Sequence, residues 1–128
     1  MSNEQQIRRI ASREVQKIAK ELSGVSSVVI ATVDGFDIAS IGLDGEDPGR
    51  IAAMASSVSA IGSVISQEES LGRSRSVTIA TDTGFAYLSC AYLPDQTLIL
   101  NVIADQDAVL GQVAYRCAES VRRLEAAV

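Results

Sequence analysis

Bulky apolar side chains recur every three or four residues through the middle of the chain, between the charges of Arg50 and Glu68. This spacing places them on one face of an α-helix. They are Ile51, Met54, Val58, Ile61 and Ile65. The opposite face carries only small, uncharged side chains, namely Ala52, Ala53, Ser56, Ser57, Ser59, Ala60 and Ser63. We predict a helix over residues 50–68 whose bulky face packs on its own sheet and whose small face packs on a second subunit. A helix buried on both faces within one domain is the alternative.

Residues 3–22 and 105–124 combine apolar and charged positions at helical spacing, which predicts an amphipathic helix near each end of the chain. Gly24 ends the first helix, and Asp105 and Asp107 are expected to cap the start of the last one. The expected core face of the last helix is Val109, Leu110, Val113, Ala114, Cys117, Val121 and Leu124. Charged residues of both helices, Glu14 and Arg116 among them, are expected in solvent. The basic residues of the first helix form a solvated face or, as the alternative, a docking patch for an acidic protein; they are Arg8, Arg9, Arg13, Lys17 and Lys20.

Five segments have the length and composition of β-strands. They are residues 25–33, 36–41, 75–81, 85–92 and 97–103. The first and fifth are apolar on both sides, which is typical of interior strands covered on each face. The third alternates Val77 and Ile79 with polar residues, as a half-covered edge strand does. Asp34-Gly35 predicts a two-residue hairpin turn with positive φ at both positions.

Short turns place the second strand beside the first and join the third, fourth and fifth strands in a meander. Because the first and fifth strands must both be interior, the predicted strand order is 2-1-5-4-3. The central helix then covers one face of the sheet and the terminal helices cover the other. We predict an α+β sandwich with the element order αββαβββα, forming one domain over residues 1–128.

The amino-acid composition of the chain limits which kinds of partner and cellular location are expected. The chain has 128 residues and a net charge of −5, which argues against a nucleic-acid partner. The N-terminal sequence lacks the apolar run of a secretory signal, so we expect a cytoplasmic protein. The central helix is shorter than the roughly 20 apolar residues of a membrane span and contains serines, so we expect no membrane insertion. Cys90 and Cys117 have no metal or redox spacing and are expected to be free thiols.

The sequence contains few candidate catalytic residues. There is no histidine, which excludes Ser/His and Cys/His nucleophile systems. Neither glycine-rich phosphate-binding motif is present. Carboxylates such as Asp44 and Glu46 lie in an expected surface loop over residues 42–49, where Asp47 is predicted to cap the central helix with Pro48 in its first turn. We therefore predict no catalytic, cofactor-binding or metal site.

Four segments in succession resemble a known family. They are Gly24-Val25, Asp34-Gly35 followed by Ile38-Ala39-Ser40, the Ala/Met/Ser-rich central helix, and Ala104-Asp105 with Ala108-Val109-Leu110-Gly111. Their order resembles the roadblock/dynein light chain family and, within it, the bacterial Mgl-type regulators of small Ras-like GTPases. The resemblance implies a profilin-like α/β fold. It also implies a homodimer in which the central helices pack together and the third strands join two sheets.

The resemblance implies a non-enzymatic homodimer that binds a small Ras-like GTPase and modulates its GTP hydrolysis or placement. The predicted dimer interface is Ala53, Ser56, Ser57, Ala60, Ser63, Val64, Val77 and Ile79. Arg73 and Arg75, beside the edge strand, are candidates for contact with the GTPase. The alternative from a different class is a dimeric adaptor that gathers signalling or motility proteins without acting on a GTPase. A small-molecule sensor is a third option, which the low aromatic content disfavours.

Overall fold

The computed structural model describes residues 2–42 and 47–127, so residues 43–46 of the predicted surface loop lie outside the described part. The elements are α1 (Asn3–Glu21), β1 (Val25–Thr32), β2 (Asp37–Gly42), α2 (Pro48–Glu68), β3 (Ser76–Ala80), β4 (Gly84–Tyr92), β5 (Thr97–Asp105) and α3 (Leu110–Glu125). The five strands form one antiparallel sheet in the order β2-β1-β5-β4-β3. The predicted element order and strand order are confirmed.

Strands β1 and β5 form the centre of the sheet because they are apolar on both sides. Val28 and Leu100 belong to the core beneath α1 and α3. Val29 belongs to the core beneath α2, where it packs with Ile51 and Ala52. The sheet is therefore covered on both faces, with the single helix on one side and the pair on the other, as predicted.

The helix starts follow local capping chemistry, with one exception. Asp47 caps α2 as predicted, because its carboxylate accepts a hydrogen bond from the backbone N–H of Gly49 at 3.0 Å. The predicted acidic cap of α3 is wrong. That helix begins at Leu110 without a side-chain cap, and Asp105 instead accepts a hydrogen bond from the N–H of Asp107 at 2.8 Å. Asp105 is the last residue of β5, so its carboxylate stabilises the turn that leaves the strand.

The hairpin between β1 and β2 differs from the predicted two-residue turn. The N–H of Gly35 donates to the carbonyl of Thr32 at 3.0 Å, and the N–H of Thr32 donates to the carbonyl of Phe36 at 2.8 Å. Only Gly35 in this turn has a positive φ, of 97°. This is the three-residue loop in which a type I turn is followed by one left-handed residue. Glycine accepts that conformation without cost, and Asp34 avoids it.

Helix α2 lies on the sheet largely through small side chains, whereas the prediction placed its bulky side chains there; Val58 is a bulky residue that does pack on the core. Ala52, Ala55 and Ser59 are buried. Gly62 continues this stripe, since a Cβ there would lie 3.3 Å from Cγ2 of Val77. Ile51 is buried as predicted, whereas three residues expected on the sheet are exposed. These are Met54, Ile61 and Ile65.

The sheet itself explains this reversal. Below α2 it presents the large side chains of Val29, Leu88 and Ile99, all of which are buried. A helix with small residues on its inner face fits closely against such a surface, because large side chains on both sides would overfill the space. The bulky stripe of α2 is consequently left on the outside.

A buried polar cluster joins α1 to α3, where the sequence predicted charges in solvent. Glu14 is fully buried and Arg116 is 7% exposed. The hydroxyl of Ser120 donates to Oε1 of Glu14 at 2.7 Å, and Arg123 contacts the same oxygen at 3.0 Å. Arg116 also donates to Glu21 at 2.7 Å. The two helices are thus linked by compensated charges as well as by apolar packing.

The start of α3 also departs from the predicted core face. Val109 and Leu110 are exposed, because the helix begins beyond the edge of the apolar core. Val113, Cys117 and Leu124 are buried as predicted.

Candidate partner-binding surface

The outward face of α2 is an exposed apolar stripe. Met54 is 51% exposed, Ile61 62%, Val64 58% and Ile65 56%. Ile61, Val64 and Ile65 are neighbours at spacings of three and four residues, and Met54 lies on the same side of the helix two turns earlier. A contiguous apolar surface of this kind is typical of a site that binds another protein.

The predicted interface residues divide into exposed and half-buried groups. Ala53, Ser57, Ala60, Val64 and Ile79 are exposed, and Ser56, Ser63 and Val77 are half-buried. The hydroxyl of Ser56 donates to the carbonyl of Val33 in the chain's own hairpin. Val77 packs on the chain's own core beside Leu88. Ser56 and Val77 therefore contribute to the fold of their own chain, and the interface as a whole stays a prediction.

Strand β3 is the edge of the sheet nearest the end of α2. Among residues 2–42 and 47–127 it pairs only with β4, so within this part of the chain one row of its backbone N–H and C=O groups has no neighbouring strand. Of its five residues, only Val77 is half-buried, and Ile79 is 40% exposed. An open edge beside an exposed apolar helix is a template for pairing with another chain.

The two candidate arginines lie immediately before β3, close to Tyr92. The guanidinium of Arg73 lies over the Tyr92 ring, 4.6 Å from its centroid, as a cation–π contact. The Tyr92 hydroxyl donates to the carbonyl of Ser74. Burial raises the pKa of Tyr92, as does the neighbouring Cys90, while the charges of Arg73 and Arg75 oppose this shift.

The positive charges of these arginines are not neutralised nearby. Within residues 2–42 and 47–127, neither Arg73 nor Arg75 has a salt-bridge partner. A shallow cleft of about 440 Å³ runs from Arg73 and Tyr92 to the C-terminal turns of α2. The two positively charged arginines therefore lie next to the C-terminal end of the apolar stripe of α2.

The described residues offer little for catalysis. They contain no group of three His, Cys, Asp or Glu side chains that could hold a metal ion. Both cysteines are free, and burial raises the pKa of Cys117 to about 12, so its thiol is protonated at neutral pH. A second cleft, of about 330 Å³, lies near Ile7, Ile38 and Leu93, and no aromatic side chain lines it.

By length and composition alone, α2 would be able to cross a membrane; it is the one described helix for which this holds. In the fold it packs on the sheet through Ala52, Ala55 and Ser59, and core helices meet the same length and composition criteria. The expectation that this chain does not insert into a membrane stays a prediction.

Solved structures share this architecture over nearly the whole chain. A Roadblock/LC7 domain from Streptomyces avermitilis matches with a TM-score of 0.80 at 22% identity, over 88% of this chain and 92% of that chain. The fold is that of Roadblock/LC7 domains. MglB from Myxococcus xanthus matches this Roadblock/LC7 fold with a TM-score of 0.75 at 16% identity, over 98% of this chain and 89% of that one. The gliding protein MglB from Thermus thermophilus matches with a TM-score of 0.81 at 14% identity, over 94% of this chain and 90% of that chain. No protein-family model and no curated protein matches the sequence.

Sequence reasoning missed two features of this structure. One is the outward position of the bulky α2 stripe, for which the spacing of Ala52, Ala55, Ser59 and Gly62 was an available signal. The other is the buried pair of Glu14 and Arg116. Glu14 lies within the apolar stripe of α1, three residues after Ala11 and four before Ile18, and that position indicates burial.

Proposed function

We propose that this chain is a cytoplasmic, non-catalytic homodimer that binds a small Ras-like GTPase and modulates its GTP hydrolysis or its placement. The observation that carries the proposal is the exposed apolar stripe of α2 beside the unpaired edge of β3. Together they form a surface for a second copy of the chain, and the unpaired Arg73 and Arg75 at its border are available for the GTPase.

The geometry of this surface supports a dimer. A twofold axis beside β3 would pair the two edge strands antiparallel and extend the sheet across both subunits. The same axis would bring the two α2 helices together, so that Met54, Ile61 and Ile65 are removed from water. One interaction would then cover both the open backbone edge and the apolar stripe.

The GTPase assignment is supported by resemblance. The sequence resembles Mgl-type regulators of small Ras-like GTPases, and two MglB structures share the fold. Arg73 and Arg75 provide positive charge that a nucleotide-binding partner with phosphate and acidic groups would attract. Since no acid–base or nucleophilic system accompanies them in the described part of the chain, we assign these arginines to binding or to charge stabilisation on the partner.

The native mass of the protein in solution tests whether it forms a dimer. We expect the wild-type protein to have the mass of two chains, and Ile61→Glu and Ala60→Glu to shift it toward one, because each places a charge on the stripe. Ala118→Glu, an exposed alanine-to-glutamate change on α3, is the matched control and should leave the mass unchanged. A single-chain mass for the wild type would contradict the dimer.

Phosphate release tests the GTPase partner. A small Ras-like GTPase from the same cell, loaded with GTP, is assayed with and without this protein, and binding to the GTP and GDP states is measured in parallel. We expect nucleotide-dependent binding that weakens in Arg73→Ala or Arg75→Ala but not in Arg50→Ala. Partners bound without nucleotide dependence would favour the adaptor alternative, and no binding with no rate change would reject the GTPase assignment.

A further inference from the structure

Helices α1 and α3, which cover one face of the sheet, carry most of the basic residues of the chain. Helices α1 and α3 contain five and three of the eleven Lys and Arg residues, but three and two of the sixteen Asp and Glu residues. This two-helix layer therefore has a net charge of +3 within a chain of net charge −5. The remaining elements and turns have a net charge of −8, so the layer is a basic face on an acidic protein.

Apart from the buried Arg116, the positive charges of the layer are exposed to solvent. Arg9, Arg13, Lys17 and Lys20 follow one another on α1 at intervals of four, four and three residues, and all four are exposed. This spacing forms one ridge along the outer side of the helix. Arg122 on α3 is also exposed. The ridge therefore runs the length of the layer on the side opposite the sheet.

Within the ridge, Arg13 lies 4.0 Å from Glu14. Three other acidic side chains of the layer pair with cations outside the ridge. Glu4 faces Arg8 at 3.6 Å, and Glu21 accepts a hydrogen bond from Arg116 at 2.7 Å. Glu119 lies 3.9 Å from Arg123.

The exposed ridge is left largely unpaired as a result. Among the described residues, no carboxylate forms a salt bridge with Arg9, Lys17, Lys20 or Arg122. The layer thus presents cations whose charge is available to a partner.

Apolar side chains accompany the charges at one end of the layer. Tyr115, on the outer side of α3, is 72% exposed, and Val109 and Leu110 at the start of the helix are also exposed. Because Arg116 bonds to Glu21, Tyr115 lies at the same end of the layer as Lys20. A tyrosine ring with a free hydroxyl beside basic residues is a combination suited to the boundary between lipid headgroups and water.

We propose that the layer formed by α1 and α3 adsorbs to membranes that contain anionic lipids, without inserting a helix. Charge complementarity supplies the attraction, since each Lys or Arg near such a surface contributes favourably. Tyr115, Val109 and Leu110 add apolar contact at the headgroup level. Since α2 occupies the opposite face, the layer stays accessible whichever protein covers α2.

Vesicle sedimentation with the full chain tests the proposal. We expect binding to vesicles of phosphatidylcholine with about 30% phosphatidylglycerol at low salt, little binding to phosphatidylcholine alone, and release at high salt. Lys20→Glu should weaken binding at least about tenfold. Arg50→Glu, an equal charge change at an exposed site on α2, should alter it less than about twofold. Tyr115→Ser should weaken binding without changing its salt dependence.

Three results would overturn the proposal. The first is no binding to the anionic vesicles, and the second is equal weakening by Lys20→Glu and Arg50→Glu. The third is tighter retention by duplex DNA or by polyglutamate than by vesicles, which would assign the layer to nucleic acid or to an acidic protein. Native mass measured for each variant separates an altered oligomeric state from loss of the basic layer.

Discussion

The carboxylate of Glu14 on α1 lies 3.4 Å from the guanidinium of Arg116 on α3, inside the layer that these helices form. Both side chains are almost completely removed from water. The carboxylate also receives hydrogen bonds from Ser120 and Arg123, so its charge is compensated by several partners. Buried charges persist only with such compensation, and here they join two helices that are far apart in sequence.

Replacement of Glu14 should destabilise the fold strongly. Glu14→Gln preserves the size of the side chain but removes one of the two carboxylates that form salt bridges with Arg116 among the described residues. The expected loss in the free energy of unfolding is about 3 kcal/mol. The measurement is urea unfolding at neutral pH. Glu119→Gln, at a more exposed pair with Arg123, is the matched control and should cost less than about 1 kcal/mol. Equal losses for the two variants would contradict the structural role of the buried carboxylate.

The same carboxylate predicts a pH dependence of stability. Burial is the largest influence on Glu14 and raises its pKa, but hydrogen bonds from Ser120 and Arg123 and the charges of Arg123 and Arg116 together lower it below its ordinary value of 4.5. The unfolded chain therefore binds this proton first as the pH falls. The stabilisation is complete above pH 4.5 and is lost as the pH falls through the lowered pKa.

Urea unfolding at a series of pH values checks the sign. The difference in stability between the wild type and Glu14→Gln should be constant near neutral pH and should narrow below pH 4.5. A difference that grows in acid would mean that folding raises the pKa of this carboxylate, the opposite of the direction stated above.

The orientation of α2 predicts which of its positions tolerate a larger side chain. Ala52 is fully buried between the helix and the sheet, so Ala52→Leu should lower the free energy of unfolding by about 1–3 kcal/mol through overpacking. Ala118→Leu, at an exposed helical position on α3, should change it by less than about 0.5 kcal/mol. Unfolding of both variants by urea is the test. A tolerated leucine at position 52 would mean that the small stripe does not face the sheet.

Two glycines should respond to alanine in opposite directions. A Cβ on Gly84 would meet the backbone of β5, 2.9 Å from Cα of Asp105, so Gly84→Ala should destabilise the protein by about 2 kcal/mol or more. A Cβ on Gly111, in the first turn of α3, meets nothing within 4 Å. Gly111→Ala should therefore stabilise the protein by about 0.5 kcal/mol. Thermal unfolding of the two variants measures both effects, and a shift of the same sign for both would contradict the close approach of β4 to β5.

Much of the fold is predictable because it depends on local rules. The strand order follows from short turns and from two strands that are apolar on both sides. The start of α2 follows from Asp47 and Pro48, whose chemistry acts within one turn. The open edge at β3 follows from the polar residues that alternate with Val77 and Ile79.

The spacing of residues predicted helix α2 but not which of its faces points outward. Both stripes of α2 lack charge and both have helical spacing, so periodicity could not decide which one faces the sheet. Ala60 and Val64 are exposed on the helix, but the bulky side chains beside them, Met54 and Ile61, were expected inside.

The sequence by itself determined the order of elements, the arrangement of the sheet and the positions of the helices on its two faces, because turns, caps and strand patterns act over short distances. Only the tertiary structure decided which stripe of α2 is buried, since that depends on the volume already filled by Leu88 and Ile99 beneath it. It also decided the pairing of Glu14 with Arg116, because two charges in separate helices find each other only when the sheet brings those helices together.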